Sequence, residues 1–309
     1  MEKTIDIICI GEVLIDFIGH EVDTPLSETK NYHRFLGGSP TNVAVNAARI
    51  GLKSMLIASC GKDGMGDYII NKLKVNNVNT SKINQLEDVP TSVIFVSKST
   101  TTPEFIAYRE ADCQILSHQI ERFILEKAKI FHTTCFALSR NPAQKTILDA
   151  AKLAKSLGLI ISIDINYSEK IWPNRAEAKL IIEQYLSYNP IVKVSDDDCL
   201  RLFGVQKSES EIFIYFHDLG APTICLTKGK NGVVLSDKKE GIMRHNALDI
   251  KEIKDTTGAG DAFWTGFLYA QLHDKNFEET ITIAQKLAAI KLQNVGRLPE
   301  NINLIAKLL

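Results

Sequence analysis

The feature that most constrains the fold is the alternation of short apolar runs with longer amphipathic segments after residue 118. The apolar runs predict strands at 130–133, 159–165, 191–194 and 223–227. The segments between them predict helices over about 142–157 and 174–187, and a pair of helices from about 195 to 218. Strands and helices that alternate in this way form a parallel sheet with helices on both faces. The sequence therefore predicts an α/β fold.

The N-terminal third of the chain extends this sheet. The apolar runs at 5–10 and 54–60 predict two further buried strands. Between them, a helix is predicted by Ser39 as N-cap, Pro40 at the first helical position and Gly51 past the end. A second helix is expected to begin in the glycine-rich loop 61–66 and to run to about residue 74.

Two β-rich segments do not belong to the alternating pattern. Residues 91–97 and 104–109 are separated by a short polar stretch, which is typical of a hairpin. With the strand that follows Gly11, the hairpin predicts a small sheet outside the main one.

The last part of the chain is predominantly helical. After an edge strand at 233–236, helices are predicted at about 259–273, 277–292 and 300–308. At 309 residues the chain could form one large α/β domain or two smaller ones.

Composition narrows the class of protein. Apolar residues make up 45% of the chain and charged residues 24%, which are ordinary values for a globular protein. The net charge of −1 shows no basic bias, so we expect no nucleic-acid partner. No apolar run approaches membrane-spanning length, and the N-terminus has no signal-peptide pattern, so we expect no membrane partner and a cytoplasmic location. Scattered cysteines without a C-x-x-C pair favour a reduced compartment.

The stretch from Asp255 to Asp261, Asp-Thr-Thr-Gly-Ala-Gly-Asp, carries the strongest chemical signal. It reads as a loop that enters a helix, and small residues there allow a ligand to approach the backbone. The first N–H groups of a helix have no internal partner and attract anions. A carboxylate beside an anion site suits a base that takes a proton from a hydroxyl being phosphorylated. The alternative is that Asp261 only complements the dipole of an ordinary helix.

Further motifs along the chain resemble the ribokinase-like carbohydrate kinases of the PfkB family. They are Gly11-x-x-x-x-Asp16, Gly37-Gly38-x-x-x-Asn42, Gly61-x-Asp63-x-x-Gly66, Thr227-x-Gly229-x-x-Gly232 and the Asp255–Asp261 stretch. Together they cover nearly the whole chain in the family's order. The resemblance implies a single ribokinase-like domain over 1–309, an open α/β sandwich whose small β-lid is built from insertions at about 12–36 and 90–111.

The same resemblance implies ATP-dependent phosphorylation of a primary hydroxyl of a sugar or sugar-like alcohol. Asp261 would be the general base, and the backbone of Gly258, Ala259 and Gly260 would stabilise the charge of the transferring phosphoryl group. No G-x-x-x-x-G-K-[ST] motif is present, so the site would differ from a P-loop.

Substrate residues follow by matching positions. On the sugar side these are Asp16, Gly37, Gly38, Asn42, Arg109 and Asp112. On the ATP side they are Lys193, Thr227, Gly229 and Gly232, with adenine against the helix around 280–291. An exposed surface ion pair is the alternative for Arg109.

Metal sites are also implied by the resemblance. Asp198 would support Mg²⁺ through water, although Ser195-x-x-Asp198 stands where many relatives have Asn-x-x-Glu. Asp255 and Thr257 match positions that bind a monovalent cation in several relatives, so K⁺ is a further candidate cofactor besides ATP and Mg²⁺.

Fructose is the favoured substrate, because the pattern around Arg109 and Asp112 resembles fructokinase-type members. Ser168 departs from them, since an arginine often stands at that position. Ribokinase, 2-keto-3-deoxygluconate kinase and nucleoside kinase activities stay open, as does a non-catalytic sugar- or nucleotide-binding regulator. Because lid strands have free edges, we also expect a homodimer joined through the lid.

Overall fold

The computed structural model describes residues 2–99, 104–296, 298–299 and 304. Within these residues, thirteen strands form two separate sheets. The predicted segment 300–308 lies outside the described residues apart from Leu304, which is helical.

The larger sheet has nine strands and forms the centre of the molecule. Along the sheet the strands are β13 (Gly241–His245), β12 (Val233–Asp237), β11 (Thr223–Thr227), β10 (Ile191–Ser195), β9 (Ile160–Asp164), β8 (Ala128–Thr134), β1 (Ile5–Ile10), β4 (Ser54–Gly61) and β5 (Asn79–Leu86). All neighbouring pairs are parallel except those that β12 makes with β11 and β13. The predicted α/β fold is confirmed, and β5 and β13 are strands that the sequence patterns did not predict.

Helices cover both faces of this sheet. In chain order they are α1 (Ser39–Arg49), α2 (Gly64–Val75), α3 (Arg122–Glu126), α4 (Ala143–Ser156), α5 (Arg175–Leu186), α6 (Asp196–Phe203), α7 (Glu209–Asp218), α8 (Ala259–Leu272) and α9 (Phe277–Leu292). One apolar core includes buried residues of α4, α5 and α7, and the other includes those of α1, α8 and α9. None of the helices in the described part of the chain is both long and apolar enough to span a membrane.

The smaller sheet has four strands, in the order β3 (Tyr32–Gly37), β2 (Leu14–Val22), β6 (Val93–Lys98) and β7 (Phe105–Tyr108). The predicted hairpin is present, because β6 pairs with β7 in antiparallel fashion. β2 joins β3 in antiparallel fashion and β6 in parallel. We call this sheet the lid.

Asp63 connects the lid to the main body. Its Oδ1 caps α2 by accepting hydrogen bonds from the N–H groups of Met65 and Gly66. The same carboxylate accepts bonds from the N–H and hydroxyl of Thr91, just before β6. The Gly61-x-Asp63-x-x-Gly66 motif therefore has a structural task at the base of the lid.

The start of α1 differs from the prediction. Gly38 is the N-cap, with a φ of 102°, and Ser39 is the first helical residue. The hydroxyl of Ser39 makes no capping hydrogen bond because it donates to Asp261 instead.

Candidate active site

Asp261 lies in the first turn of α8, and two residues of α1 hold its carboxylate. Ser39 Oγ donates to Oδ1 at 2.6 Å, and Asn42 Nδ2 donates to Oδ2 at 2.8 Å. Burial raises the pKa of Asp261, and these two hydrogen bonds with the charges of Lys193 and Lys291 partly offset that effect. Both carboxylate oxygens are thus fixed in direction, as a positioned base requires.

Within the described residues, the backbone before Asp261 leaves amide groups without acceptors at the N-terminus of α8. Gly258 caps α8 in the left-handed conformation, with a φ of 74°, which favours glycine. The N–H of Ala259 donates to the carbonyl of Thr256. In the described part of the chain, the N–H groups of Gly258, Gly260 and Asp261 have no acceptor. These amides are therefore available to an anion at the helix N-terminus.

Lys193 supplies positive charge beside these amides. It is 5% exposed in the middle of β10, and a Cβ on Gly260 would lie 3.3 Å from its Nζ. Nζ donates to Oδ2 of Asp164, at the end of β9, over 2.6 Å. Burial lowers the pKa of Lys193, but the nearby carboxylates of Asp164, Asp198 and Asp261 raise it above its ordinary value. The ammonium therefore stays charged.

Asp164 belongs to the pattern Asp164-x-Asn166-x-Ser168, to which no catalytic or binding role was assigned from the sequence. It is buried, and its Oδ1 has no hydrogen-bond partner among the residues that the structure describes. Burial raises its pKa to about 6, against the lowering effect of Lys193. A buried oxygen without a donor fits a metal-bound water, so Asp164 is suited to support Mg²⁺. The sequence signal that could have identified Asp164 is its position as a carboxylate at the end of an apolar strand.

The Asp198 carboxylate is engaged with its own helix. Oδ2 accepts hydrogen bonds from the N–H and hydroxyl of Ser195, which completes a capping box at the start of α6. Oδ1 accepts a bond from Arg201 at 2.7 Å. No group of three or more histidine, cysteine, aspartate or glutamate side chains that could hold a metal ion occurs within the described ranges.

Asp16, on β2 of the lid, is a second carboxylate near Asp261. Its carboxylate has no hydrogen-bond partner in the described chain, and a Cβ on Gly37 would collide with it. Burial and the charge of Asp261 raise its pKa to about 7. Gly37 therefore leaves room for Asp16 beside the start of α1, whereas Gly38 leaves room for the backbone of Glu12.

Arg109 and Asp112 bind each other. The guanidinium is 2.7–2.9 Å from Oδ2 of Asp112, and both side chains are almost fully buried. Arg109 also donates to Ser139 Oγ at 2.6 Å and stacks over Phe136, with Cζ 4.0 Å from the ring centroid. The pair is therefore buried and joins the end of the lid to the loop after β8. The alternative of an exposed surface ion pair is wrong.

Among the predicted ATP residues, Lys193 lies within β10, and the other three lie at or after the end of β11. Thr227 ends β11, and Gly229 lies in the exposed turn that follows. Gly232 is buried, and a Cβ there would collide with the carbonyl of His245 on β13. Lys228 forms a surface pair with Glu209 at 2.7 Å. The glycine at position 232 is thus explained by its φ of 88° and by the close approach of β13, without reference to a nucleotide.

Asp255 does not have the surroundings of a monovalent-cation ligand. Its Oδ1 accepts a hydrogen bond from the N–H of Thr257, and Oδ2 accepts bonds from the N–H of Gly296 and from Lys291 Nζ. Burial raises the pKa of Asp255, but these donors together lower it. A bound K⁺ would lie beside the lysine ammonium, so the donor set does not fit this ion.

Glu12 is a further group that the motifs did not identify. It is 2% exposed, and its carboxylate accepts hydrogen bonds from the N–H of Ser39 and the hydroxyl of Thr134, each at 3.0 Å. Burial raises its pKa to about 8. Glu12 thereby fixes the first residue of α1, whose hydroxyl in turn holds Asp261.

Comparisons with known proteins identify the family of the chain. The family model described as pfkB family carbohydrate kinase matches residues 4–301. The chain belongs to this family. It is 32% identical to an ATP-dependent 6-phosphofructokinase of Thermoanaerobacterium thermosaccharolyticum, over 96% of this chain and 90% of the relative.

Solved structures give the same assignment. The fructokinase of Halothermothrix orenii superposes with a TM-score of 0.80 at 34% identity, covering 94% of this chain and 98% of that one. An uncharacterized sugar kinase of Pyrococcus horikoshii in complex with ATP gives a TM-score of 0.86 at 29% identity, covering 98% and 100%. This PfkB-family protein is an ATP-dependent sugar kinase.

Proposed function

We propose that this kinase transfers the γ-phosphoryl group of MgATP to a primary hydroxyl of fructose, with Asp261 as general base. The observation that carries the proposal is the contrast around one opening. The Asp261 carboxylate is fixed by two donors, the amides beside it lack acceptors, and the Asp16 carboxylate across from it lacks donors. Base, anion site and hydroxyl-binding group thus converge on one place.

The sugar binds on the lid side of Asp261. Asp16 accepts hydrogen bonds from neighbouring hydroxyls, for which a carboxylate without partners is well suited. Gly37, Gly38 and Asn42 form the floor, since glycines allow the sugar to approach the backbone. The buried pair of Arg109 and Asp112 keeps the end of the lid beside this floor.

The reacting hydroxyl joins the donors that already bind Asp261. A carboxylate has about four acceptor positions, so a third donor can bind without displacing Ser39 or Asn42. Asp261 takes the proton as the oxygen attacks phosphorus. The amides of Gly258 and Gly260 and the ammonium of Lys193 stabilise the charge on the transferring group.

ATP lies along the ends of β10 and β11, near Thr227 and Gly229, with adenine against α9. Mg²⁺, when bound, neutralises charge on the transferring phosphates. Asp164 would hold a water of this ion through its unpartnered Oδ1. Asp198 would contribute through its charge, since Ser195 and Arg201 occupy its oxygens.

A second substrate deserves a direct test because of the relatives. One relative is named as a 6-phosphofructokinase and another as a fructokinase, at similar identity. Fructose 6-phosphate carries a phosphate group of its own into the sugar site. The acidic Asp16 lies there and would repel this negative charge. We therefore favour fructose.

The deciding experiment is an assay of ADP release with MgATP over a substrate panel. The panel holds fructose, fructose 6-phosphate, ribose, 2-keto-3-deoxygluconate and adenosine. We expect the highest kcat/KM with fructose. A tenfold preference for another acceptor would replace fructose and leave the kinase assignment intact. No release above background with any compound would favour a binding regulator.

We also propose a homodimer joined through the lid. On the lid, Tyr108 and Ile106 are 59% and 44% exposed, and Phe17 stacks on Phe95 with ring centroids 5.1 Å apart. Such an apolar surface favours association. Sedimentation velocity should give the mass of a dimer, and Ile106→Asp should reduce it to that of a monomer.

A further inference from the structure

A buried lysine lies beneath the loop that carries the anion site. Lys291, in the last turn of α9, is 3% exposed. Its Nζ is 3.0 Å from Oδ2 of Asp255 and 3.2 Å from the carbonyl oxygen of Asn294. An ammonium is costly to bury unless it is paired, so this position depends on the Asp255 carboxylate.

Asp255 links this ammonium to the anion site. Its Oδ1 accepts a hydrogen bond from the N–H of Thr257 over 2.9 Å. Thr257 directly precedes Gly258, and a Cβ on Gly258 would lie 3.8 Å from Cε of Lys291. Without the ammonium, the Asp255 carboxylate would keep only backbone donors. The loop would then be held to the end of α9 by backbone hydrogen bonds alone, from the N–H groups of Lys254 and Asp255 to the carbonyl of Leu292.

The charge of Lys291 also acts on the general base. Burial is the main influence on Asp261 and raises its pKa, and the positive charge of Lys291 is one of the effects that offset it. A fixed cation at this position thus favours the ionised, proton-accepting form of Asp261.

We propose that the Lys291 ammonium is a built-in cation that takes the place of a bound monovalent cation, so that phosphoryl transfer by this kinase does not depend on K⁺. This inference rests on the proposed function. Lys291 is a positioning residue, since it acts through Asp255 and the loop and touches neither substrate. A separate K⁺ would have to lie beside the ammonium, which like-charge repulsion opposes.

The first test uses the wild-type enzyme with MgATP and fructose. Turnover is measured at constant ionic strength in tetramethylammonium, sodium or potassium chloride. We expect the three values of kcat to agree within twofold. A rise of tenfold or more in potassium would overturn the proposal without any variant.

The second test replaces the lysine. Lys291→Ala removes the ammonium and leaves a space, whereas Lys291→Met fills that space with an uncharged chain. In tetramethylammonium we expect kcat to fall at least tenfold in both variants. Potassium or methylammonium should restore kcat several-fold in Lys291→Ala and have less effect in Lys291→Met. If Lys291→Ala folds but no cation restores its kcat, the role of Lys291 is merely structural and the proposal is overturned.

Lys275→Ala is the matched control. Lys275 lies just before the other end of α9 and forms an exposed pair with Glu279 at 3.1 Å. Exposed pairs of this kind contribute little, so this variant should match the wild type in every salt. If Lys291→Ala fails to fold, Lys291→Met and the wild-type series decide the question.

A third measurement needs no turnover. Hydrogen exchange of residues 250–258 in the free protein should be the same in potassium and tetramethylammonium for the wild type. In Lys291→Ala it should be several-fold faster, and potassium should slow it again. Slower exchange of the wild-type loop in potassium would overturn the proposal. Because no acceptor is present, this result stands even if the panel shows no phosphorylation.

Discussion

Asp16 and Asp261 are two carboxylates at the same opening, and their surroundings are opposite. Asp261, at the start of a helix that packs on the large sheet, has one donor on each oxygen. Asp16, on the lid, has none in the described part of the chain. Burial and the negative charge of Asp261 together raise the pKa of Asp16.

This difference separates two tasks. A base must hold its geometry before the substrate arrives, because reorganisation during the reaction would raise the barrier. A group that binds sugar hydroxyls is most effective when its acceptor positions are free and the ligand supplies the donors. Under the proposed function, the large sheet therefore provides the fixed part of the site, and the lid provides the part completed by substrate.

The largest effect should follow from Asp261→Asn. The amide is similar in shape and can still accept the hydrogen bond from Ser39, but it cannot take a proton. We expect kcat to fall by about 10²–10⁴-fold, the span of a general base, with a smaller change in the KM for fructose. Steady-state kinetics give both values, and circular dichroism checks the fold. A kcat within threefold of wild type would exclude Asp261 as the base.

Asp16→Asn should affect binding more than chemistry. The neutral amide accepts weaker hydrogen bonds than a carboxylate, so we expect the KM for fructose to rise about tenfold while kcat changes less. The same assays test this. If kcat fell as far as in Asp261→Asn, the division between a fixed and a ligand-completed group would be wrong.

The pH dependence of fructose binding should report the same group. The pKa of Asp16 is raised to about 7, so its carboxylate is mostly protonated below that pH and ionised above it. Fructose affinity in the wild type should therefore increase as the pH rises from 6 to 8. Calorimetric titrations at these pH values should show a flat profile for Asp16→Asn. An equally steep profile in that variant would assign the dependence to another group.

Closure of the lid should be visible without any substitution. We expect fructose to slow hydrogen exchange several-fold in residues 90–99 and 104–111, which contain β6 and β7. The strands β8 and β9 of the large sheet serve as the internal control and should not change. Unchanged exchange in the lid would mean that the sugar binds without it.

Local sequence patterns were sufficient for much of this molecule. The apolar runs located β1, β4 and β8 to β11 because strands buried on both faces leave an uninterrupted apolar signal. β5 was missed because it lies at the sheet edge and reads Asn-Thr-Ser-Lys-Ile-Asn-Gln-Leu, with little apolar pattern.

The start of α8 was predicted correctly, because the Gly-Ala-Gly-Asp motif determines its own local geometry. Contacts between distant segments could not be predicted. Ser39 and Asp261 are 222 positions apart, and nothing local to Ser39 distinguishes a cap from a partner of a base. Lys291 offered a weak signal, since it lies one turn after the buried Leu287 on an apolar helix face.

The smallest effect on activity is expected from Glu12→Gln, which tests how firmly the fixed part is held. The amide oxygen can accept from the N–H of Ser39, and the amide nitrogen can donate to the hydroxyl of Thr134, so the geometry around Asp261 should persist. We expect kcat to stay within threefold of wild type. Glu12→Ala removes both contacts and should reduce kcat more, which makes it the comparison variant.

The same substitution should change how stability depends on pH. Glu12 has a pKa of about 8 in the folded protein and an ordinary value of 4.5, so the folded state binds its proton more tightly. The stability that this proton provides is complete below pH 4.5 and is lost as the pH rises towards 8. Between pH 5 and 8 the Tm of the wild type should therefore fall more than that of Glu12→Gln.

Asp16 and Asp164, whose pKa values are also raised, contribute a decline in Tm to both proteins, so only the difference between the two slopes belongs to Glu12. Equal slopes would mean that Glu12 is ionised in the folded state and that its negative charge, held by Ser39 and Thr134, is part of the fixed side of the site.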